Sequence, residues 1–155
     1  MSELAIVALG SNLGDSRATV LRAMDTLQEF SDKPLRRSSL YETAPVDCPP
    51  GSPNFVNAVV AFEPRRDETP ESLLKKLQAL EKEFGRQPKT VLNESRPLDL
   101  DLIAFGNRTS KTTELVLPHP RAHLRRFVLE PLSEIDATLI LPGKKKSVSD
   151  LLRAL

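Results

Sequence analysis

Residues 96–103 read Arg-Pro-Leu-Asp-Leu-Asp-Leu-Ile, with acidic and apolar positions in strict alternation. Alternation is the period of a β-strand, so Asp99 and Asp101 share one face while Leu98, Leu100 and Leu102 share the other. The two acidic residues then lie about 7 Å apart along the backbone, because a strand rises about 3.3 Å per residue. Like charges on one strand face repel, and aspartate is a poor strand former. A divalent cation removes that conflict, and carboxylates at this spacing suit a hard ion such as Mg2+. The alternative is a strand with a half-exposed polar face and no metal.

Residues 119–126 supply charge of the opposite sign: His119, Arg121, His123, Arg125 and Arg126, with no acid among them. Arginine forks match phosphate oxygens and stay charged. Taken alone, such a run is a solvated face. Beside a carboxylate pair it is half of a phosphoryl-transfer site, in which metals bridge phosphate oxygens and cations take up developing charge. A second basic group, Arg86, Lys89 and Arg96 against the single acid Glu94, lies in residues 85–97. A loop of that length is usually functional or disordered, and this one either closes over an anion or stays solvated. Lys144, Lys145 and Lys146 read as a solvated turn. Gly10 and Gly14 lack the Gly-Lys-Ser/Thr ending of a nucleotide P-loop.

Phe55 and Asn57 alternate onto one face of an apolar run. A ring beside an amide suits a flat heterocycle, since the ring stacks and the amide reads the polar edge. The other reading makes Phe55 core and Asn57 a polar residue near a turn. His119 stands between two prolines, in a loop, where a histidine is less often mere packing.

The elements that must position these groups follow from pattern. Residues 4–9 form an apolar run closed by Gly10 and read as a buried strand. Asp15 or Ser16 caps a helix that the pattern carries to about Phe30, with Leu21, Met24 and Leu27 inward. Residues 38–41 read as the end of a second strand. Four prolines in residues 44–53 make a stiff loop. Residues 55–62 are a third strand. Thr69 caps a helix with Pro70 at its first position, Leu73, Leu74, Leu77, Leu80 and Phe84 on its apolar stripe, and Gly85 at its end. The acidic strand runs to Phe105 and turns at Gly106 and Asn107. This order, β-α-β-β-α-β, predicts an α+β fold with a ferredoxin-like antiparallel sheet. The remainder reads as a C-terminal appendage: the basic segment, an apolar stretch over residues 127–132, a short strand near residues 139–141 and a helix from Ser147.

The chain has 155 residues, enough for one domain, so residues 1–155 are expected to form a single unit. The net charge of +1 gives no global field toward nucleic acid or membrane. Cys48 is the only cysteine, which permits no intrachain disulfide and fits a cytoplasmic setting. The first apolar run is too short for a signal peptide or a membrane span.

Several segments, taken in order, resemble the 6-hydroxymethyl-7,8-dihydropterin pyrophosphokinase family. They are Ala8-Leu9-Gly10-Ser11-Asn12-Leu13-Gly14, Ser39-Leu40-Tyr41-Glu42-Thr43-Ala44-Pro45, and Asn54-Phe55-Val56-Asn57-Ala58. Leu80-Glu81 and Gly85-Arg86 follow, then Arg96-Pro97-Leu98-Asp99-Leu100-Asp101-Leu102, Leu117-Pro118-His119-Pro120 and Arg126-Phe127-Val128-Leu129. The resemblance implies transfer of diphosphate from ATP to the pterin hydroxymethyl group in folate biosynthesis, with release of AMP. It implies two Mg2+ ions on Asp99 and Asp101, with Arg86 and Arg96 as catalytic partners. It places the pterin near Asn12, Thr43, Ala44 and Val46, between Phe55 and Phe127, with Asn57 at its edge. It assigns ATP to Gln78, Glu81, Arg86, Arg96, His119 and Arg125. A monomer with no nucleic-acid or membrane partner is expected. The chain departs from the family's usual pattern at Asp47, Pro88, Leu92, Asn93 and Glu94.

Two other classes share parts of this pattern. A ferredoxin-like RNA-binding module would place aromatics on its central strands and carry a basic charge. A Mg2+-dependent nucleotidyltransferase would use the same acidic strand but release free diphosphate.

Overall fold

The computed structural model describes residues 3–44, 50–51, 53–85 and 97–155. Val46, Cys48, Arg86, Lys89, Glu94 and Arg96 lie outside the described residues.

The strand β1 (Ala5–Ser11) is buried along its whole length. It is flanked on one side by β4 (Phe55–Phe62) and on the other by β5 (Asp99–Phe105), both antiparallel to it. Two short strands, β2 (Arg36–Arg37) and β3 (Tyr41–Thr43), both pair with the far side of β4. Counting β2 and β3 as one interrupted strand, the order is the ferredoxin-like arrangement that the sequence predicts.

Period-2 alternation in β1 sends its side chains into two separate cores. Ala5, Val7 and Leu9 join Leu98, Leu100 and Leu102 under the helices α1 (Ser16–Leu27) and α2 (Pro70–Glu83). Ile6 and Ala8 join Val59, Ala61 and Ile103 on the opposite face. That face is covered by α3 (Arg126–Asp136) and α4 (Val148–Arg153). The C-terminal segment is therefore a second helical layer. A strand apolar on both faces is stable only when both are covered. Among the described residues no helix is long and apolar enough to cross a membrane.

The caps act as their residue types predict. Asp15 accepts the Ala18 N–H at the start of α1, and Thr69 and Ser72 form a reciprocal capping box on α2. Gly85 follows α2 at φ +92, a conformation open to glycine.

Five details differ from the sequence reading. The first α-helix stops at Leu27, and residues Gln28–Phe30 tighten into a 3-10 turn. Leu21 is 49% exposed, because the buried stripe of α1 runs through Val20, Ala23, Met24 and Leu27 and leaves position 21 at its margin. The second strand is broken at Ser38, whose Oγ accepts the Val59 N–H and so takes the place of a ladder carbonyl. Residues 139–141 form no strand; the Leu139 carbonyl instead accepts the Val148 N–H at the start of α4. A small ribbon of β6 (Ser110–Lys111) and β7 (Val116–Leu117) was not anticipated.

Candidate active site

Register places the chemistry on one face of the sheet at one end. Gly10 is opposite Asp99 on β5 and opposite Asn57 on β4, and Asn57 is opposite Tyr41 on β3. Asp99, Gly10, Asn57 and Tyr41 thus form one row across four strands. The next row contains Asp101, Ala8 and Val59. Strands lie about 4.8 Å apart, so Asp99 and Asn57 stand about 10 Å from each other with Gly10 between them.

Gly10 has no side chain to fill that interval. A Cβ there would stand 3.1 Å from Asn57 Oδ1 and 3.8 Å from the Phe55 ring. The amide and the ring therefore approach the glycine backbone closely, and Gly10 forms a floor between them with no side chain of its own. Asn57 Nδ2 donates to Thr43 Oγ1 at 2.6 Å, which holds the amide plane and leaves Oδ1 on the Gly10 side. Thr43 is itself opposite Phe55. Four residues from three strands are coupled in this way: Gly10, Thr43, Phe55 and Asn57.

The expected alternation of β5 holds. Leu98, Leu100 and Leu102 are buried on the α1 and α2 side, and Asp99 and Asp101 are half-buried on the other. Two half-buried carboxylates on one face form a hard donor set that suits a divalent cation with positions left for substrate oxygens. Among the described residues, no group of three or more His, Cys, Asp and Glu forms a metal cluster. The strand between the carboxylates is gripped from its outer edge: Glu81, on α2, accepts the Leu100 N–H through Oε2 at 2.8 Å. Glu81 is thus buried against the acidic strand, whereas Gln78, on the same helix, is exposed.

The basic segment arrives beside β5. The His119 N–H donates to the Ile103 carbonyl at 2.8 Å. His119 Nδ1 accepts the Arg121 N–H at 3.2 Å, which leaves the proton of a neutral ring on Nε2. Burial lowers the His119 pKa, and the positive charges of Arg125 and Arg121 lower it further, while Asp99 pulls the other way. The ring is therefore neutral at neutral pH and can donate from Nε2. The Arg125 guanidinium stacks 5.4 Å from the centroid of Phe127, in the first turn of α3. Phe127 packs against the apolar cluster of the same sheet face.

The structure therefore brings Asp99, Asp101, Thr43, Phe55 and Asn57 together on strands, and sets His119, Arg125 and Phe127 on the segment that covers their face. Asn12 is buried in the β1–α1 turn, where Nδ2 approaches the Pro53 carbonyl at 3.5 Å. Ala44 follows β3 and is exposed. Val46, Arg86 and Arg96 fall outside the described residues.

Sequence reasoning assigned no role to Gly10. The sequence reading closes the first strand at Gly10, whereas β1 runs to Ser11, which puts the glycine inside the strand, where it marks close approach by another group. It also passed over Ser39, Tyr41 and Glu134, whose interaction across the fold has no local signature.

The known proteins similar to this chain agree on its kinship. Residues 6–137 match the family model described as 7,8-dihydro-6-hydroxymethylpterin-pyrophosphokinase (HPPK). The chain is 37% identical over 142 residues to the 2-amino-4-hydroxy-6-hydroxymethyldihydropteridine pyrophosphokinase of Haemophilus influenzae, covering 91% of this chain and 86% of that protein. It is also 37% identical over 148 residues to the folic acid synthesis protein fol1 of Pneumocystis carinii, covering 96% of this chain but 20% of that protein. Against the folate synthesis bifunctional protein of Arabidopsis thaliana, identity is 35% and the chain spans 28% of the relative's length. Among solved structures, the HPPK-DHPS of Plasmodium falciparum with pteroate superposes with a TM-score of 0.77 at 14% identity, over 99% of this chain and 42% of that one. With the family model matched over most of its length, this chain belongs to the 7,8-dihydro-6-hydroxymethylpterin-pyrophosphokinase family.

Proposed function

We propose that the chain transfers the terminal diphosphate of ATP to 6-hydroxymethyl-7,8-dihydropterin, giving AMP and the pterin diphosphate. The observation that carries this reading is the row of Asp99, Gly10 and Asn57. It sets a carboxylate for phosphate-bound cations one strand away from a bare floor, and an amide one strand beyond.

In this reading the pterin lies over Gly10 between Phe55 and Phe127, and Asn57 meets its polar edge. Thr43, Ala44, Val46 and Asn12 complete its surroundings. Asp99 and Asp101 would hold two Mg2+ ions. Bound there, Mg2+ would neutralise charge on the phosphate oxygens as it develops. The hydroxymethyl oxygen attacks the β-phosphorus of ATP and loses its proton to water. The bond from that phosphorus to the oxygen bridging to the α-phosphate breaks, and AMP leaves with that oxygen. Arg125 and neutral His119 donate to phosphate oxygens beside Asp99. Arg86 and Arg96 add charge to the same group, and Gln78 and Glu81 lie on the nucleotide side. Glu81 also fixes the backbone of the acidic strand through Leu100.

Residues 1–155 act as one catalytic unit, a monomer in the cytoplasm, with ATP and the pterin as its partners. Incubation with ATP, Mg2+ and the hydroxymethyl pterin, followed by nucleotide separation, tests the reaction. AMP with a diphosphorylated pterin is the expected outcome. ADP, or free diphosphate with a nucleotidylated pterin, overturns it.

A further inference from the structure

One polar junction, at the surface between α3 and the edge strand, lies outside the site described above. Glu134, on α3, receives the Ser39 N–H at 2.7 Å and the Tyr41 hydroxyl at 3.0 Å on Oε1, and the Ser39 hydroxyl at 2.6 Å on Oε2. Both partners belong to the interrupted edge strand. Ser39 sits in its break, where the N–H is not committed to the β4 ladder. Tyr41 occupies the same row as Asn57, Gly10 and Asp99.

We infer that Glu134 is a positioning residue for the heterocycle: its carboxylate locks the roll of α3 against the edge strand and thereby sets Phe127 over the floor made by Gly10, Phe55 and Asn57. The inference rests on the pterin reading of that floor.

Helix geometry connects the two ends. Phe127 and Glu134 are seven residues apart, which at 3.6 residues per turn places them on one flank of α3 about 10 Å apart. Any roll of the helix moves both side chains through the same angle. Helix α3 is also anchored by Val128, Leu129 and Leu132 in the apolar cluster on the sheet, and by α4, whose Ser149 N–H donates to the Ala137 carbonyl at the end of α3. Apolar contact is non-directional and limits roll weakly. The first turn, which carries Phe127, has no side-chain cap, since Arg125 makes no capping hydrogen bond. Hydrogen bonds to a carboxylate are directional and stronger than neutral ones. These three are thus directional contacts that tie α3 to the strand row beneath the pterin. Glu134 touches neither substrate in this arrangement and acts through Phe127.

The test compares Glu134→Ala, Tyr41→Phe and Phe127→Ala by calorimetric titration with the pterin in the presence of a non-hydrolysable ATP analogue, and by steady-state kinetics. Glu134→Ala is expected to weaken pterin binding about tenfold while the Michaelis constant for ATP moves less than about twofold. Tyr41→Phe, which removes one of the bonds and leaves the fold intact, is expected to act in the same direction by about two- to threefold. In the Phe127→Ala background, Glu134→Ala should add little, as coupled residues do in a double-mutant cycle. If Glu134→Ala fails to fold, Tyr41→Phe and Ser39→Ala carry the same comparison. Phe127→Ala without effect on pterin binding would overturn the reading of the pocket itself. Weakened binding in Phe127→Ala but unchanged binding in Glu134→Ala and Tyr41→Phe would overturn the inference alone. So would a lowered melting temperature with both Michaelis constants unchanged.

Discussion

Single atoms decide the chemistry at the floor of the site. Gly10 contributes by what it lacks: a methyl group would stand 3.1 Å from Asn57 Oδ1, closer than ordinary van der Waals contact. Gly10→Ala is therefore expected to push the amide aside and weaken pterin binding several-fold, with ATP affinity unchanged. Its effect on stability should be about 1–3 kcal/mol, the usual range for overpacking. Titration with the pterin and thermal unfolding of the same variant check both parts. The carboxylates act differently. Asp99→Ala and Asp101→Ala remove charges that share a strand face, so the fold should survive. Loss of electrostatic stabilisation in the transition state should lower turnover about 100-fold or more. Turnover above about a tenth of wild type in either variant, measured by AMP release, would remove the metal role proposed for that residue.

The elements hold these atoms through two cores, one on each side of β1. Their energetics can be read from a single helix. On α1, Met24 is buried and Leu21 is 49% exposed. Met24→Ala is expected to cost about 2–5 kcal/mol, the range for emptying a packed position. Leu21→Ala should stay within about 0.5 kcal/mol. Urea unfolding of the pair measures the difference, and equal losses would contradict the orientation of α1. On α2, Thr69 accepts the Ser72 N–H at 3.0 Å, and its own N–H is met by the Ser72 hydroxyl at 2.9 Å. Thr69→Ala should lower stability by about 1 kcal/mol, a shift that the same unfolding curves resolve. Because α2 also carries Glu81 to the Leu100 N–H, the position of this helix bears on the acidic strand directly.

At the scale of the whole molecule, the junction between α3 and the edge strand makes stability depend on pH. Hydrogen bonds from the Ser39 side chain and backbone hold the Glu134 carboxyl below its usual range, and the Tyr41 hydroxyl adds to this. A carboxyl lowered on folding stabilises the fold above its ordinary value near 4.5, and that contribution is lost as pH falls through the lowered value. At the alkaline end, burial raises the Tyr41 pKa and the bond to Glu134 raises it further, with Glu130 adding repulsion. The unfolded chain releases that proton first, so stability falls again as pH rises past about 10. Glu134 is exposed in part and its share is small. Chemical unfolding across pH should show a flatter acid limb in Glu134→Ala than in the parent chain. An identical limb would mean that the carboxyl is not lowered by folding.

How far the sequence alone reaches is set by the range of the physics involved. The element order, the alternation of β5, the caps at Asp15 and Thr69 and the end of α2 at Gly85 depend on neighbours a few residues away, and local pattern determines them. The carboxylate pair and the shared face of Phe55 and Asn57 follow from the same period, as does the basic segment from composition. What the tertiary structure decided depends on partners distant in the chain. Ser38 breaks the second strand because its hydroxyl meets Val59, 21 residues away. Gly10 becomes a floor only when Asp99 and Asn57 arrive on either side of it. Glu134 becomes a clamp only when α3 crosses the sheet to reach Ser39, 95 residues earlier. The C-terminal segment becomes a layer because the face of β1 that carries Ile6 and Ala8 needs cover, and only the closed sheet presents that face as a surface.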